Sequence, residues 1–322
     1  SGRLRFHVST PPGARFVSGV RPSPSGGADN YEADVTAIDE ASFAAFGALR
    51  VSTAGAGVVA AAKGVALDDA ILARWTQAEV DAIARYVGRA PDDRFVVFVA
   101  PGTQDVTRGK TLGDGGASVL VRVGTSITSS NLLDDWVLAH ELVHVATPSV
   151  DGAHAWFAEG LATYVEPIAR ARAGLTTSER VWGDLVEGLP QGLPKPGDGG
   201  LDGERDVGRV YWGGALVFLL ADVAIRDETR GAKSLDDVLR AWAAAGGNAE
   251  AHWTVARCLE VGDAATGTRA LSTLVARHGG GAPKEDLAAL WRRLGVARSG
   301  ERLTFDDAAP LASIREAITA TR

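Results

Sequence analysis

The stretch "LAHELVHVATPSVDGAHAWFAEGLATYVE" occupies residues 138–166 of this 322-residue chain and concentrates its histidines. It holds three of the six histidines in the sequence, His140, His144 and His154. The pattern "HELVH" places His140 and His144 four residues apart, so both imidazoles leave the same face of a helix. Two imidazoles arranged in this way can reach one zinc ion, each nitrogen at about 2.0–2.1 Å. The stretch therefore predicts a metal-binding helix.

Glu141 follows His140 directly and cannot easily join the same coordination sphere. It can instead reach a water molecule bound to the metal and act as the base for that water. A catalytic zinc has three protein ligands and one open position, so a third ligand is needed. The candidates are Asp151, His154 and Glu159. Asp151 is better suited to cap the second helix, and His154 lies in the first turn of that helix.

An exposed helix that carries two histidines and a glutamate would show the same "HELVH" pattern. The neighbouring residues Val137, Leu138, Leu142 and Val143 are apolar, which indicates that much of the helix surface is buried. Because buried polar side chains need partners, burial of this helix favours the metal site over a solvated surface.

The pattern "HELVH" followed by "WFAEGLATYVE" resembles the glutamate-zincin (gluzincin) metallopeptidases, in particular the aminopeptidase N and glycyl aminopeptidase families. This resemblance implies that His140, His144 and Glu159 bind one Zn²⁺ per chain, with Glu141 as the general base. It further implies hydrolysis of a peptide or protein substrate by a zinc-activated water. Glu166, two turns beyond Glu159, is then expected to be a carboxylate that orients one of the metal ligands.

A further segment, "YWGGALVFLLADVAIRDETRGAKSLDDVL" at residues 211–239, is similar to the region of those families that begins Y-x-x-G-A. The leading tyrosine there donates a hydrogen bond to the oxyanion of the tetrahedral intermediate. The resemblance therefore implies this role for Tyr211. The alternative is an aromatic side chain that only packs at the start of a helix.

The sequence departs from these families in two places. Only fourteen residues separate His144 from Glu159, fewer than is usual in the families. In the exopeptidases a glutamate on the edge strand anchors the free amine of the substrate, whereas here the matching stretch "GGASVLV" has Ser118 at that position. A hydroxyl group is a poor partner for an ammonium group, so an endopeptidase and an exopeptidase with another anchor both remain open.

The succession of short strands and then helices predicts an α+β protein with a zincin-like catalytic domain, in which a small mixed sheet with an edge strand precedes a mostly helical lobe. A small β-rich unit is expected before this domain. The predicted ranges are the N-terminal unit at 1–65, the metallopeptidase domain at 66–322, its sheet and active-site helices up to about residue 170, a lid loop at 171–209 and a helical lobe at 210–322.

Local patterns predict the individual elements around the motif. A capping-box pair, Thr76 and Glu79, indicates a helix that begins at residue 76. The apolar run at 94–100 predicts a strand, and the alternating run at 117–123 predicts a second strand at the edge of the sheet. Residues 132–146 are expected to form one helix, which ends before Pro148.

Composition excludes several other classes of protein. The net charge of −7 argues against nucleic acid or an anionic membrane as a partner, and no apolar run is long enough to span a bilayer. Cys258 is the single cysteine, so no disulfide can form within the chain. The chain contains no methionine, and we expect an exported, bacterial-type protein, periplasmic or secreted, with a cytoplasmic location as the alternative.

Two other functions fit the same residues. One is a zinc hydrolase that acts on a non-peptide substrate with the same metal site. The other is a non-catalytic protein that zinc stabilises and that binds a partner. A purely structural zinc site usually fills all four positions with protein ligands and has no use for a base, so Glu141 argues against the second alternative.

Overall fold

The apolar run predicted as a strand lies inside a five-stranded sheet in the computed structural model, as a strand that extends over Phe95–Pro101. The structure describes residues 2–24, 26–27, 29–35, 41–103, 108–300 and 302–321. The chain divides into two units, one of Ser1–Ser149 with Gly246–His252 and one of Val150–Ala245 with Trp253–Arg322. The boundary predicted near residue 65 falls inside the first unit.

The strands described in the first unit form three sheets. Its strands are β1 (Gly2–His7), β2 (Arg15–Ser18), β3 (Asn30–Val35), β4 (Ala44–Gly47), β5 (Arg50–Ala54), β6 (Gly57–Ala61), β7 (Phe95–Pro101), β8 (Arg108–Leu112) and β9 (Ala117–Val123). Strands β1 and β3 form one antiparallel pair and β2 and β4 another, while the five-stranded sheet has the order β5-β6-β7-β9-β8. Its three central strands are parallel and its two edge strands antiparallel to their neighbours. The predicted N-terminal β-rich segment and the small mixed sheet are thus confirmed.

The prediction that residues 117–123 form the sheet edge is wrong. Strand β9 pairs with β7 on one side and with β8 on the other, and β8 is the edge strand. The alternation in β9 reports which face each side chain occupies, and it says nothing about whether the strand has one neighbour or two. Strand β8, "RGKTL", lies in a segment that reads as a glycine-rich loop, because the run is short and polar.

The described part of the first unit contains the helices α1 (Asp69–Val87), α2 (Ser129–Asp134) and α3 (Val137–Ala146). The predicted start of α1 at the Thr76–Glu79 pair is wrong. Asp68 is the N-cap, with its carboxylate accepting a hydrogen bond from the Ile71 amide at 2.8 Å. Thr76 and Glu79 are both buried in the middle of the helix. The Thr76–Glu79 pair matches a capping pattern by sequence alone, but the helix already begins at Asp69.

The single helix predicted for residues 132–146 is instead two. Helix α2 ends at Asp134, and the backbone of Asp135 is extended. The Asp135 carboxylate accepts a hydrogen bond from the Val137 amide at 2.9 Å and so begins a new helix. As a result, "HELVH" lies in a separate ten-residue helix.

The second unit is mostly helical. Its elements are α4 (Ala155–Arg172), α5 (Ser178–Gly188), α6 (Gly214–Glu228), α7 (Leu235–Ala244), α8 (Val255–Thr266), α9 (Ala270–Gly279), α10 (Leu287–Leu294), the antiparallel hairpin of β10 (Val296–Ser299) and β11 (Arg302–Phe305), and α11 (Ala312–Thr319). This helical lobe completes the predicted α+β fold. Among the described residues, none of the helices is long and apolar enough to cross a membrane.

The segment 171–209 is more ordered than a lid loop. It contains α5 and a 3₁₀ turn at Leu189–Gly192. The buried guanidinium of Arg209 donates hydrogen bonds to the carbonyl oxygens of Gly192 (3.0 Å) and Gly199 (3.1 Å). These bonds fix the backbone of the loop between Gly192 and Arg209. The density of glycine and proline in this segment hides the helix from a reading of the sequence.

Helices α4 and α6 approach so closely that only glycine fits at their crossing. A methyl group on Gly160 would come within 2.2 Å of the Cα atom of Gly214, and one on Gly214 within 2.2 Å of the Trp156 carbonyl oxygen. Backbone atoms cannot move aside as a flexible side chain can. This contact therefore determines how close α4 lies to α6.

We expect Gly160→Ala to lower the free energy of unfolding by about 1–3 kcal/mol, because the new methyl group forces the two backbones apart. Gly183→Ala is the matched control, since a methyl group at that helical position meets no atom within 4 Å. The control should keep or raise stability, by up to about 1 kcal/mol. Denaturant unfolding measures both variants, and equal stability of the two would contradict the close contact.

Candidate metal centre

Helix α3 directs two imidazoles to one point. The Nε2 atoms of His140 and His144 are 3.3 Å apart, and the two rings meet edge to face with their centroids 5.0 Å apart. Most of α3 is buried, and His140 itself is only 4% exposed. The apolar residues around the motif thus bury the helix as predicted, and its four-residue spacing brings the two ring nitrogens together.

Glu159 joins these two histidines. One ligand atom from each of His140, His144 and Glu159 lies within 4.8 Å of the others, and the residues described in the structure contain no other such group of three or more. Two imidazole nitrogens and one carboxylate oxygen form a donor set that catalytic zinc sites use, with a fourth position left for water. The chemistry of the donors therefore fits zinc.

The other two candidates for the third ligand occupy a different place. Asp151 caps the turn before α4, where its carboxylate accepts a hydrogen bond from the Ala153 amide at 3.0 Å. The same carboxylate oxygen lies 2.8 Å from Nδ1 of His154, and this contact lowers the pKa of Asp151. Asp151 and His154 therefore hold each other at the helix start, outside the group of Glu159.

Glu141 lies on α3 next to the ligands but outside their group. Its side chain is buried, 7% exposed, and it reaches toward strand β8. The hydroxyl of Thr111 donates a hydrogen bond to Oε2 of Glu141 at 2.6 Å. Thr111 is not among the predicted site residues, since a threonine in a short polar run carries no signal of its own.

Tyr211 lies in an irregular turn. Residues Arg209–Gly213 form a π-helical turn that leads directly into α6, and this turn packs against α4, the helix of Glu159. Turns of this kind widen a helix locally and occur often at functional sites. The sequence predicts an ordinary helix start here, because no local pattern distinguishes the two conformations.

Glu166 is buried and lies on α4, as the helical spacing predicts. Its carboxylate is 3.6 Å from the guanidinium of Arg170, one turn further along the same helix. The expectation that Glu166 orients a metal ligand stays a prediction.

Ser118 does not face a binding site. It is completely buried in β9, where its hydroxyl donates to the Leu112 carbonyl oxygen at 3.3 Å and accepts from the Phe43 amide at 2.9 Å. Ser118 therefore lies inside the sheet, and the outer strand on this side is β8.

The fold is similar to that of solved zinc metallopeptidases. An M1 zinc metallopeptidase from Deinococcus radiodurans matches 88% of this chain with a TM-score of 0.56 at 18% identity. An aminopeptidase N family protein from Idiomarina loihiensis matches 91% of it with a TM-score of 0.62 at 15% identity. Yeast LTA4 hydrolase also matches 91%, with a TM-score of 0.56 at 13% identity. The chain thus has the fold of the M1 catalytic domain, as the resemblance of its motifs implies.

The match covers only part of these structures: 65% of the Deinococcus chain, 58% of the Idiomarina chain and 50% of the yeast chain. No protein-family model and no curated protein sequence matches this chain. The likeness at these identities concerns the fold, so activity must be argued from the site.

We expect Glu159→Ala to lose most of its zinc, because the substitution removes one of three protein ligands. His154→Ala is the matched control, since His154 lies in the adjacent turn but outside the ligand group. Elemental analysis of both variants and the wild type, after zinc is supplied and the excess dialysed away, measures the difference. Equal zinc content in the Glu159 variant and the wild type would contradict this ligand set.

Proposed function

We propose that this chain is a zinc-dependent metallopeptidase that hydrolyses peptide bonds. The observation that carries the proposal is the group of His140, His144 and Glu159 with Glu141 beside it on α3, within an M1 catalytic fold. A site that served only to stabilise the fold would have no use for a buried, hydrogen-bonded carboxylate outside the ligand group.

His140, His144 and Glu159 would hold the metal, and zinc bound there would lower the pKa of a water molecule toward neutrality and polarise the scissile carbonyl. Glu141 accepts the proton of the attacking water and returns it to the leaving amine, the task of a general base and then a general acid. Tyr211 donates a hydrogen bond to the oxygen on which negative charge develops.

Strand β8 is the part of the sheet that an extended peptide can join. It pairs only with β9, so the described structure leaves its outer edge available for main-chain hydrogen bonds. We propose that the substrate binds there as an added strand. This replaces the edge predicted at 117–123.

Nothing on β8 suits the ammonium group of a free N-terminus. The strand reads "RGKTL", and its charged residues, Arg108 and Lys110, are both exposed cations that would repel an amine. Asp114 follows soon after, but it is 3% exposed and its carboxylate is 2.5 Å from Nε2 of His252. We therefore favour an endopeptidase, which needs no amine anchor.

A second candidate is a zinc hydrolase of non-peptide substrates, and the similarity to yeast LTA4 hydrolase is what favours it. The metal ligands and Glu141 would serve such a reaction equally well. A panel of N-acetylated peptides, free peptides, esters and epoxides, each assayed with the zinc-loaded protein, separates the candidates. Cleavage of N-acetylated and free peptides at similar rates identifies an endopeptidase.

We expect Glu141→Gln to keep its zinc and to lower kcat by about 10²–10⁴-fold, because an amide cannot accept the proton of the attacking water. Zinc content and peptide turnover are measured on the same preparation. Glu179→Gln is the control, since it neutralises a carboxylate in the first turn of α5, outside the ligand group. Normal turnover by the Glu141 variant would overturn the mechanism.

For Tyr211→Phe we expect kcat to fall by about 10²–10³-fold with little change in KM, because the lost hydrogen bond forms mainly in the transition state. Tyr31→Phe is the control, since Tyr31 stacks on Phe6 in the N-terminal strands. Steady-state kinetics on one peptide substrate measures both. A Tyr211 variant that matches the control would remove this tyrosine from the mechanism.

A further inference from the structure

Strand β8 meets Glu141 through alternate residues. Because successive side chains of a strand point to opposite faces, Gly109 and Thr111 share one face and Arg108 and Lys110 the other. Gly109 and Thr111 both contact the side chain of Glu141. The edge strand is therefore in direct contact with the proposed base.

The Thr111 hydroxyl has one proton and two acceptors near it. Its Oγ1 is 2.6 Å from Oε2 of Glu141 and 3.1 Å from the backbone carbonyl oxygen of the same residue. The shorter contact is the stronger hydrogen bond, since hydroxyl-to-oxygen hydrogen bonds are usually about 2.5–3.0 Å long. The hydroxyl proton therefore goes to the carboxylate and holds Oε2 in place.

Gly109 leaves the space that the carboxylate fills. A methyl group on Gly109 would come within 2.4 Å of the Glu141 Cγ atom and 2.5 Å of its Oε1 atom. The side chain of Glu141 thus lies directly against the backbone of β8. Any larger residue at position 109 would push it away.

We propose that Thr111 is a positioning residue for the general base, with Gly109 providing the room. This inference rests on the proposed function. The Thr111 hydroxyl holds Oε2, so Oε1 is the oxygen that takes the proton from water. When Oε1 is protonated, Oε2 becomes the carbonyl oxygen of the acid and still accepts the same hydrogen bond. Thr111 therefore donates throughout and transfers no proton itself.

The strand that we propose to bind the peptide is then also the strand that orients the base. Thr111 points to Glu141 through its side chain, while the substrate would use the main chain at the outer edge of β8. Loss of the hydroxyl should consequently reduce kcat and leave peptide binding almost intact. A residue that only stabilised the strand would affect both.

The experiment compares Thr111→Val, which keeps the shape and removes the hydroxyl, with Thr111→Ser, which keeps the hydroxyl. We expect the Thr111→Val protein to retain zinc, to have a kcat lowered by about 10–100-fold and to change in KM by no more than about twofold. The Thr111→Ser protein should keep most of the wild-type kcat. Thr53→Val is the control, since Thr53 is an exposed threonine on the opposite edge strand β5. An equal loss of kcat in Thr111→Val and Thr111→Ser, or no loss of kcat in Thr111→Val, would overturn the inference.

A second measurement needs no turnover. Hydroxamates bind zinc and donate a proton to a neighbouring carboxylate. The affinity of the zinc-loaded protein for acetohydroxamate therefore depends on the position of the Glu141 carboxylate. We expect Thr111→Val to weaken this binding, measured by calorimetry, in the wild-type background and to have no effect in a Glu141→Gln background. The same loss in both backgrounds would mean that Thr111 does not act through Glu141.

The measurements distinguish the proposed peptidase function from the positioning role of Thr111. A wild-type protein that takes up no zinc would overturn the proposed function and this inference together. Zinc uptake without cleavage of any peptide, but with the coupling between Thr111 and Glu141, would overturn peptide hydrolysis and keep the positioning role. Zinc uptake and peptide cleavage without that coupling would overturn the inference alone.

Discussion

The four-residue interval between His140 and His144 on a buried helix is the constraint on which the rest of the site depends. Ten residues of α3 suffice to aim both Nε2 atoms at one point, 3.3 Å apart. Buried polar groups without partners are destabilising, so two imidazoles on a buried helix favour a further polar group beside them, such as a carboxylate. Glu159 completes the group of three, and Glu141 beside it is the base of the proposed mechanism.

The carboxylate of Glu159 is useful only if α4 is held firmly, and buried polar contacts in the second unit do this. Tyr164 of α4 donates a hydrogen bond to Asp222 of α6 at 2.9 Å, and Asp222 is paired with Arg226 at 2.9 Å. Both of these charged side chains are almost fully buried, where loss of one partner costs about 3–5 kcal/mol. Together with the glycine contact between α4 and α6, this network gives Glu159 a rigid support.

The edge strand of the sheet, β8, could not be predicted from the sequence. Residues 117–123 have the alternation of a strand, but alternation depends on the two faces of a sheet and not on the number of neighbouring strands. Strand β8 is short and polar, so it carries almost no apolar signal, yet it borders the site and contacts Glu141. The contacts of Gly109 and Thr111 with Glu141, on which the proposed positioning role rests, are therefore visible only after the strands are paired.

Helical spacing and apolar periodicity act over a few residues, so the sequence predicts the α+β class, a strand at 94–100 and two histidines on one helix face. Spacing leaves Asp151, His154 and Glu159 open as the third ligand; the motif resemblance implies Glu159, and the structure places Glu159 in the group. The pairing of β8 as the edge strand in place of β9, and the π-helical turn that carries Tyr211, come from the tertiary structure. Each of these depends on contacts between segments that are distant in the chain, and no local pattern of residues records such contacts.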